Sequence, residues 1–382
     1  MTTGKPIFYE FFAGGGMARA GLGSDWECVF ANDFDFKKGI AYQSNWDKDR
    51  APVIKVKDIR KVETTELPGT ADLAWASFPC QDLSLAGGGA GLHGERSGTF
   101  DPFWDIVKLL IDEGRALRVV ALENVTGTLT PHGGKDFQAI CKTFADNGYR
   151  YGALVIDAAL FVPHSRPRLF VVGVREDVEI EDAMVSPGPI EPFHTRGLQA
   201  AFDRVQDEAA RSKWLWWNMP TPPHRNTVFA DLIEDKPDSV QWHTAAETSK
   251  LLGQMSPINL AKVEAAKRAG RRMVGAVYKR TRVEDGVKYQ RAEVRFDDLA
   301  GCLRTPSGGS SRQVIVVVDG NRIRSRLISA RETASLMGLD ENYILPKNYN
   351  EAYHLTGDGV AVPVVRHLAQ HVIEPLLKRL KA

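Results

Sequence analysis

A chain of 382 residues, 43% hydrophobic and 25% charged, has the composition of a protein that folds around apolar cores in water, and it has room for two domains. No run approaches the ~20 apolar residues of a membrane span, the N-terminal segment passes at once into a strand pattern, and the four cysteines (Cys28, Cys80, Cys141, Cys302) stand far apart, so a reduced, cytoplasmic protein without a bound metal is expected. Net charge is only +1, yet residues 262–295 carry eleven Lys/Arg against four Asp/Glu, a local surface suited to a polyanion.

From the N-terminus, residues 7–12 form an apolar run ending in Gly14-Gly15-Gly16, followed by small residues from Met17 to Leu22: a strand, a tight turn and a helix start. Residues 26–31 read as a second strand closed by Asn32-Asp33, and 53–56 and 73–77 as further strands. Phe103, Ile106, Val107 and Leu110 recur at the spacing of a helix stripe. Strands at 119–122 and 169–174 follow. Such alternation predicts an α/β fold around a mostly parallel sheet. Beyond about residue 185, six prolines and the tryptophans Trp214, Trp216, Trp217 and Trp242 break the rhythm, and a separate, irregular domain with strands at 291–294 and 314–318 is expected. Helical periodicity returns at 330–337 and 364–380.

Four segments carry chemistry. The turn Phe12-Ala13-Gly14-Gly15-Gly16 brings backbone close to a ligand at a helix N-terminus, and Asp33, about 20 residues on, stands where a carboxylate takes ribose hydroxyls. The pattern points to an adenosine-type cofactor, with a dinucleotide still open. Ala76-Ser77-Phe78-Pro79-Cys80-Gln81 leads a cysteine off a strand end into the glycine-rich stretch 85–91, where a thiolate nucleophile and a closing loop are expected. Glu123 ends another apolar strand, placed for acid–base work or for hydrogen bonding a base edge. Arg166 and Arg168 precede a third, two guanidiniums suited to phosphate or a carbonyl oxygen.

In this order, the glycine turn, Asn32-Asp33, Pro79-Cys80-Gln81, Glu123-Asn124-Val125 and Arg166-Pro167-Arg168 resemble the ordered motifs of the DNA cytosine-5 methyltransferases. Arg326 through Glu332 with Leu336-Met337-Gly338, and Gly357 through Pro363, agree. The resemblance covers nearly the whole chain outside about 185–300. It implies a Rossmann-like, S-adenosylmethionine-dependent methyltransferase domain (1–185 plus 346–382) with a smaller target-recognition domain (186–345). It further implies that the Cys80 thiolate attacks C6 of a cytosine flipped out of double-stranded DNA, that Glu123 holds the N3/N4 edge, and that Arg168 contacts O2 with Arg166 in support. Phe12, Ala13, Gly14, Gly16, Asp33, Phe34, Asp58, Ile59 and Pro79 would line the cofactor. Gln81, Ser84, Lys279, Arg280 and Arg282 would contact DNA. A monomer is expected, with any cognate restriction endonuclease acting separately. His164, where the family usually has Gln, and Asp358, where it has Asn, depart from the pattern. A related tRNA-modifying branch carries Cys-Phe-Thr in its recognition domain, a triplet absent here.

Overall fold

The computed structural model describes residues 4–48, 51–79, 98–130, 134–284, 286–303 and 312–377. The chain divides into two compact units: Met1–Asp157 with Pro167–Pro223 and Val360–Ala382, and Ala158–Arg166 with His224–Gly359.

The first unit opens with β1 (Ile7–Phe11), α1 (Met17–Leu22), β2 (Glu27–Asp33), α2 (Phe36–Trp46), β3 (Ile54–Val56) and β4 (Leu73–Ala76). It continues through α3 (Phe100–Asp112), β5 (Val119–Val125), α4 (Lys135–Asp146), β6 (Tyr149–Asp157) and β7 (Pro167–Arg175). The short elements β8 (Val185–Ser186), α5 (Arg196–Asp203), α6 (Glu208–Ser212) and β9 (Trp216–Trp217) follow. Seven strands form one sheet in the order β3-β2-β1-β4-β5-β7-β6. β1 to β5 pair parallel, as the alternation predicts, whereas β7 runs antiparallel between β5 and β6. The continuous apolar runs of β4 and β5 are buried on both faces, as central strands of such a sheet must be. The α3 stripe expected from Phe103, Ile106, Val107 and Leu110 is buried, and it meets Tyr9 and Phe11 of β1 in the main core. Trp104 widens the stripe, its ring 4.7 Å from that of Phe144 on α4.

The tryptophan-rich segment corrects the expected layout. Trp214 and Trp217 are buried in the first unit, with the Leu215 N–H donating to the Tyr151 carbonyl (2.7 Å) and Trp217 Nε1 donating to the Val172 carbonyl (3.2 Å). Burying these rings against β6 and β7 carries the unit to Pro223, past the expected boundary at 185, and it resumes at Val360 rather than 346.

The second unit is not irregular. It contains α7 (Ala245–Gly253), α8 (Pro257–Arg268), β10 (Met273–Glu284), β11 (Val287–Arg295), β12 (Val314–Asp319), β13 (Arg322–Leu327), α9 (Ala330–Leu336) and α10 (Tyr349–Asp358). Its antiparallel sheet has the order β11-β10-β12-β13, with apolar clusters on both faces. Arg326 and Glu332, both fully buried, form a two-bonded ion pair (2.5 and 2.8 Å), and Glu332 also accepts from the Ser329 and Glu234 N–H groups. The first unit closes with α11 (Val362–Leu368) and, after a wider turn at Ala369–Ile373, α12 (Glu374–Leu377).

Gly152 shows how tightly the segment 214–217 is seated, because a Cβ there would stand 2.0 Å from the Leu215 carbonyl oxygen. Gly152→Ala is expected to destabilise the fold by about 1–3 kcal/mol, the usual cost of overpacking. Urea unfolding monitored by tryptophan fluorescence checks this, and an unchanged midpoint would contradict the packing described.

Candidate active site

In an open α/β sheet, ligands collect at the carboxyl ends of the parallel strands, near the point where strand order reverses. Here that point lies between β1 and β4. β1 leads into the glycine turn with Phe12, Gly14 and Gly16 at positive φ (55°, 55° and 77°). Nothing lies within 4 Å of where a Cβ on Gly14 would stand, so that position is open, while a Cβ on Gly16 would collide with Trp46 Nε1 at 2.2 Å. The Ala13 N–H donates to the Asn32 carbonyl (2.9 Å), and Trp46 Nε1 donates to the Gly15 carbonyl (2.9 Å). Asp33, at the end of β2, accepts from the Gly14 N–H and the Asp35 N–H, each at 2.8 Å, which ties the turn to its neighbouring strand. Burial raises the Asp33 pKa above the usual carboxylate value. Phe34 beside it is 74% exposed, an unusual state for an aromatic ring. At the next strand exit Asp58 accepts from the Arg60 N–H (3.0 Å), and the Ile59 side chain is committed to the core. Open backbone, a carboxylate and a bare aromatic face together fit an adenosine-type ligand.

The same rim carries the second cluster. The Arg168 Nε stands 3.2 Å from Glu123 Oε1, with Glu123 only 6% exposed. The pairing register explains the meeting: Val125 on β5 faces Arg168 on β7, so the start of the antiparallel strand lies at the carboxyl end of β5. Asn124 donates its side-chain amide to the Phe78 carbonyl (3.3 Å), holding the exit of β4 against the end of β5. Pro79 follows, exposed. Cys80, Gln81 and Ser84 lie outside the described residues. Of the described cysteines, Cys28 and Cys141 are buried, and desolvation pushes both thiols up to about 12, far from thiolate chemistry near neutral pH.

Arg166 is placed differently from its neighbour. It is 2% exposed, belongs to the second unit, and donates to the Gly357 and Gly359 carbonyls (2.8 and 2.6 Å). His164 is also buried there, between the Leu336 carbonyl (3.2 Å) and the Leu303 N–H (3.4 Å), while Asp358 is exposed on α10. Lys279, Arg280 and Arg282 lie on β10 where it runs past β12 as a two-stranded ribbon with β11. Arg280 and Arg282 are exposed and flank Glu293 (3.4 and 2.6 Å).

Reading by sequence missed a polar nest under the glycine turn. Glu10, on the opposite face of β1 from Tyr9 and Phe11, accepts from the Arg19 N–H (3.2 Å) and Tyr42 (3.3 Å), and Arg19 Nη1 donates to Tyr42 (3.0 Å). The available signal was a lone acid inside an apolar strand. Among the described residues no group of three or more His, Cys, Asp or Glu could hold a metal, and no helix is long and apolar enough to cross a membrane.

Burial pushes the Glu10 pKa from 4.5 up to about 7, outweighing the opposing pull of Arg19 and Tyr42. The folded protein thus holds a proton that the unfolded chain has released between those values, so stability from this group is full below pH 4.5 and is lost as pH rises through 7. Glu10→Gln is expected to remove this component, so its melting temperature gains on that of the wild type as pH rises from about 5 to 8. A pH-independent difference between the two melting curves would refute the assignment.

Comparison with known proteins agrees with this geometry. The C-5 cytosine-specific DNA methylase family matches residues 7–374. The Type II methyltransferase M.Bsp6I of Bacillus sp. (strain RFL6) is 25% identical over 358 residues, spanning 92% of each chain. M.HhaI of Haemophilus parahaemolyticus is 23% identical, over 96% of this chain and 93% of its own. In fold, the chain is similar to the S. pombe Dnmt2 methyltransferase (TM-score 0.61, 16% identity, 97% of this chain and 99% of that one). It is also similar to a putative DNA modification methyltransferase encoded within an E. coli prophage (TM-score 0.56, 14% identity, 98% of this chain and 100% of that one). The chain belongs to the C-5 cytosine-specific DNA methylase family, enzymes that use S-adenosylmethionine to methylate cytosine in DNA.

Proposed function

We propose that this enzyme methylates a flipped-out cytosine through a covalent adduct between Cys80 and C6 of the base. The observation that carries the reading is the Glu123–Arg168 pair at the rim, beside the β4 exit that leads into Cys80. Cytosine C5 is a weak nucleophile, and covalent addition at C6 divides one hard step into easier ones. Attack by the Cys80 thiolate breaks the C5–C6 double bond and makes C5 enamine-like, while Glu123 stabilises the protonated N3 edge and Arg168 the O2 oxygen. S-adenosylmethionine would supply an electrophilic methyl group for C5, its sulfur–methyl bond breaking to leave S-adenosylhomocysteine. Loss of the C5 proton then expels the thiolate and restores the ring. Reaction at C6 requires the base to leave the stack.

Phe12, Gly14, Gly16, Asp33 and Phe34 would hold the cofactor, with Ala13, Asp58, Ile59 and Pro79 around them. The second unit would be the target-recognition domain, its ribbon residues Lys279, Arg280 and Arg282 meeting phosphates, and Gln81 and Ser84 meeting DNA near the base. Arg166, anchored to Gly357 and Gly359, would act by shaping the segment that leads to Arg168. The enzyme would act as a monomer on one target sequence, with any restriction endonuclease a separate protein.

Bisulfite sequencing of a plasmid from a host expressing the protein is expected to show cytosines protected in one sequence context. Absence of protection, with methyl incorporation into tRNA instead, would overturn the DNA reading. Cys80→Ser is expected to abolish transfer while calorimetry still registers S-adenosylmethionine binding. Glu123→Gln is expected to lower kcat by about 10²–10⁴, and turnover at the wild-type rate in either variant would remove that residue from the mechanism.

A further inference from the structure

A second basic site lies away from the ribbon, at the edge strand β13. Arg322, Arg324 and Arg326 alternate onto one face of this strand, grading from exposed through half-buried to fully buried. Arg326 is used by Glu332. Arg324 is not neutralised in the same way. Its guanidinium lies over the Trp242 ring (4.1 Å), with Arg326 on the same ring (4.7 Å), and its nearest carboxylate is Asp235 at 3.9 Å. Arg272, just before β10, reaches the same Asp235 Oδ1 atom at 3.1 Å, and its Nε is buried with no hydrogen-bond partner. Desolvation and then the neighbouring Arg322 depress the Arg324 pKa, with Arg272 and Arg326 adding to the effect and Asp235 opposing it. Asp319 is the cross-strand partner of Arg322.

One carboxylate oxygen therefore serves two guanidiniums, and Asp235 is 69% exposed, so this ion pair is weak and easily exchanged. Trp242 holds Arg324 in place beforehand, which reduces the entropy lost when an anion binds. Planar forks converging on a single oxygen suit a phosphate group.

We propose that Arg272, Arg322 and Arg324 form a phosphate clamp for duplex DNA, separate from the ribbon and gripping the backbone a fixed distance from it. The proposal rests on the DNA reading above. Register supports the partner: Val274 pairs with Val317 and Val317 with Arg324, so Arg324 shares a sheet face with Val274 and, by alternation along β10, with Arg280 and Arg282. From Val274 to Arg282 the strand advances about 26 Å at ~3.3 Å per residue, and the two strand spacings to β13 bring the separation to roughly 28 Å. One duplex turn is about 34 Å. Two cationic points at nearly that interval, beyond the apolar layer of Phe229, Ile233, Leu336 and Tyr353 that covers the sheet between them, fit a repeating phosphate backbone better than a single small anion.

The test uses the full-length protein and a labelled, mixed-sequence DNA duplex of roughly three turns, titrated across a range of salt concentrations. Arg322→Gln with Arg324→Gln is expected to weaken binding about tenfold and to flatten the slope of log Kd against log salt by about 1.8, since each lost phosphate contact removes ~0.9. Arg322→Gln alone, at an exposed position, should flatten it by about 0.9. The paired Arg→Lys variant should keep the wild-type slope, and S-adenosylmethionine affinity should not change in any of them. An unchanged slope in both Gln variants overturns the clamp, as does weaker binding with the slope intact, which would mean a merely structural role. Equal loss on an RNA duplex overturns the choice of DNA. Inorganic phosphate that binds wild type but not the variants, with the duplex slope unaffected, assigns the cluster to free anions and also overturns it. The slope needs no turnover, so the DNA reading is judged by a separate measurement, cytosine protection across a whole plasmid, and its failure there is distinguishable from failure of the clamp.

Discussion

A strand entering the sheet backwards determines where Glu123 and Arg168 meet. Parallel strands all deliver their carboxyl ends to one rim, so a side chain at the start of a parallel strand would lie at the far end. Because β7 runs antiparallel beside β5, its first residues lie at the rim where β5 ends, and Arg168 reaches Glu123 without any long loop. The hydrogen bond from Asn124 to Phe78 then draws the exit of β4 to the same place. Three separate stretches of chain are positioned by backbone ladders rather than by flexible connections, which suits an arrangement that must be held within a fraction of an ångström.

The glycine-turn side of the rim has its own logic. Asp33 has both oxygens occupied by backbone N–H groups, and burial raises its pKa against the pull of those bonds. These bonds tie the glycine turn to the end of β2 and fix the orientation of the carboxylate. Glu10, Tyr42 and Arg19 bond to one another beneath the turn, while Trp46 fills the space that a side chain on Gly16 would need.

Much of this was legible in the sequence because it depends on short-range signals. The apolar runs of β1, β4 and β5, the α3 stripe and the glycine turn follow from periodicity and residue type, and the structure has each of them. The direction of β7 was not legible, since an apolar run reads the same whichever way it enters a sheet. The tryptophans misled for a related reason: proline spacing suggested a boundary near 185, but the outcome depended on whether Trp214 and Trp217 found a sheet to cover them. Likewise Arg166 and Arg168, two residues apart, have carbonyl and carboxylate partners in different compact units, which spacing alone does not disclose.

The nine residues Ala158–Arg166 belong to the second unit although the strands on either side of them belong to the first. Anyone transplanting the recognition portion of a relative into this scaffold would naturally cut at 223 and 360, the ends of the long insertion. Such a chimera would leave His164 and Arg166 behind while removing the Leu336, Gly357 and Gly359 carbonyls that they engage. A buried guanidinium stripped of its acceptors costs far more than the bonds themselves contributed. The transferable module is thus discontinuous, and the short internal segment has to travel with the long one.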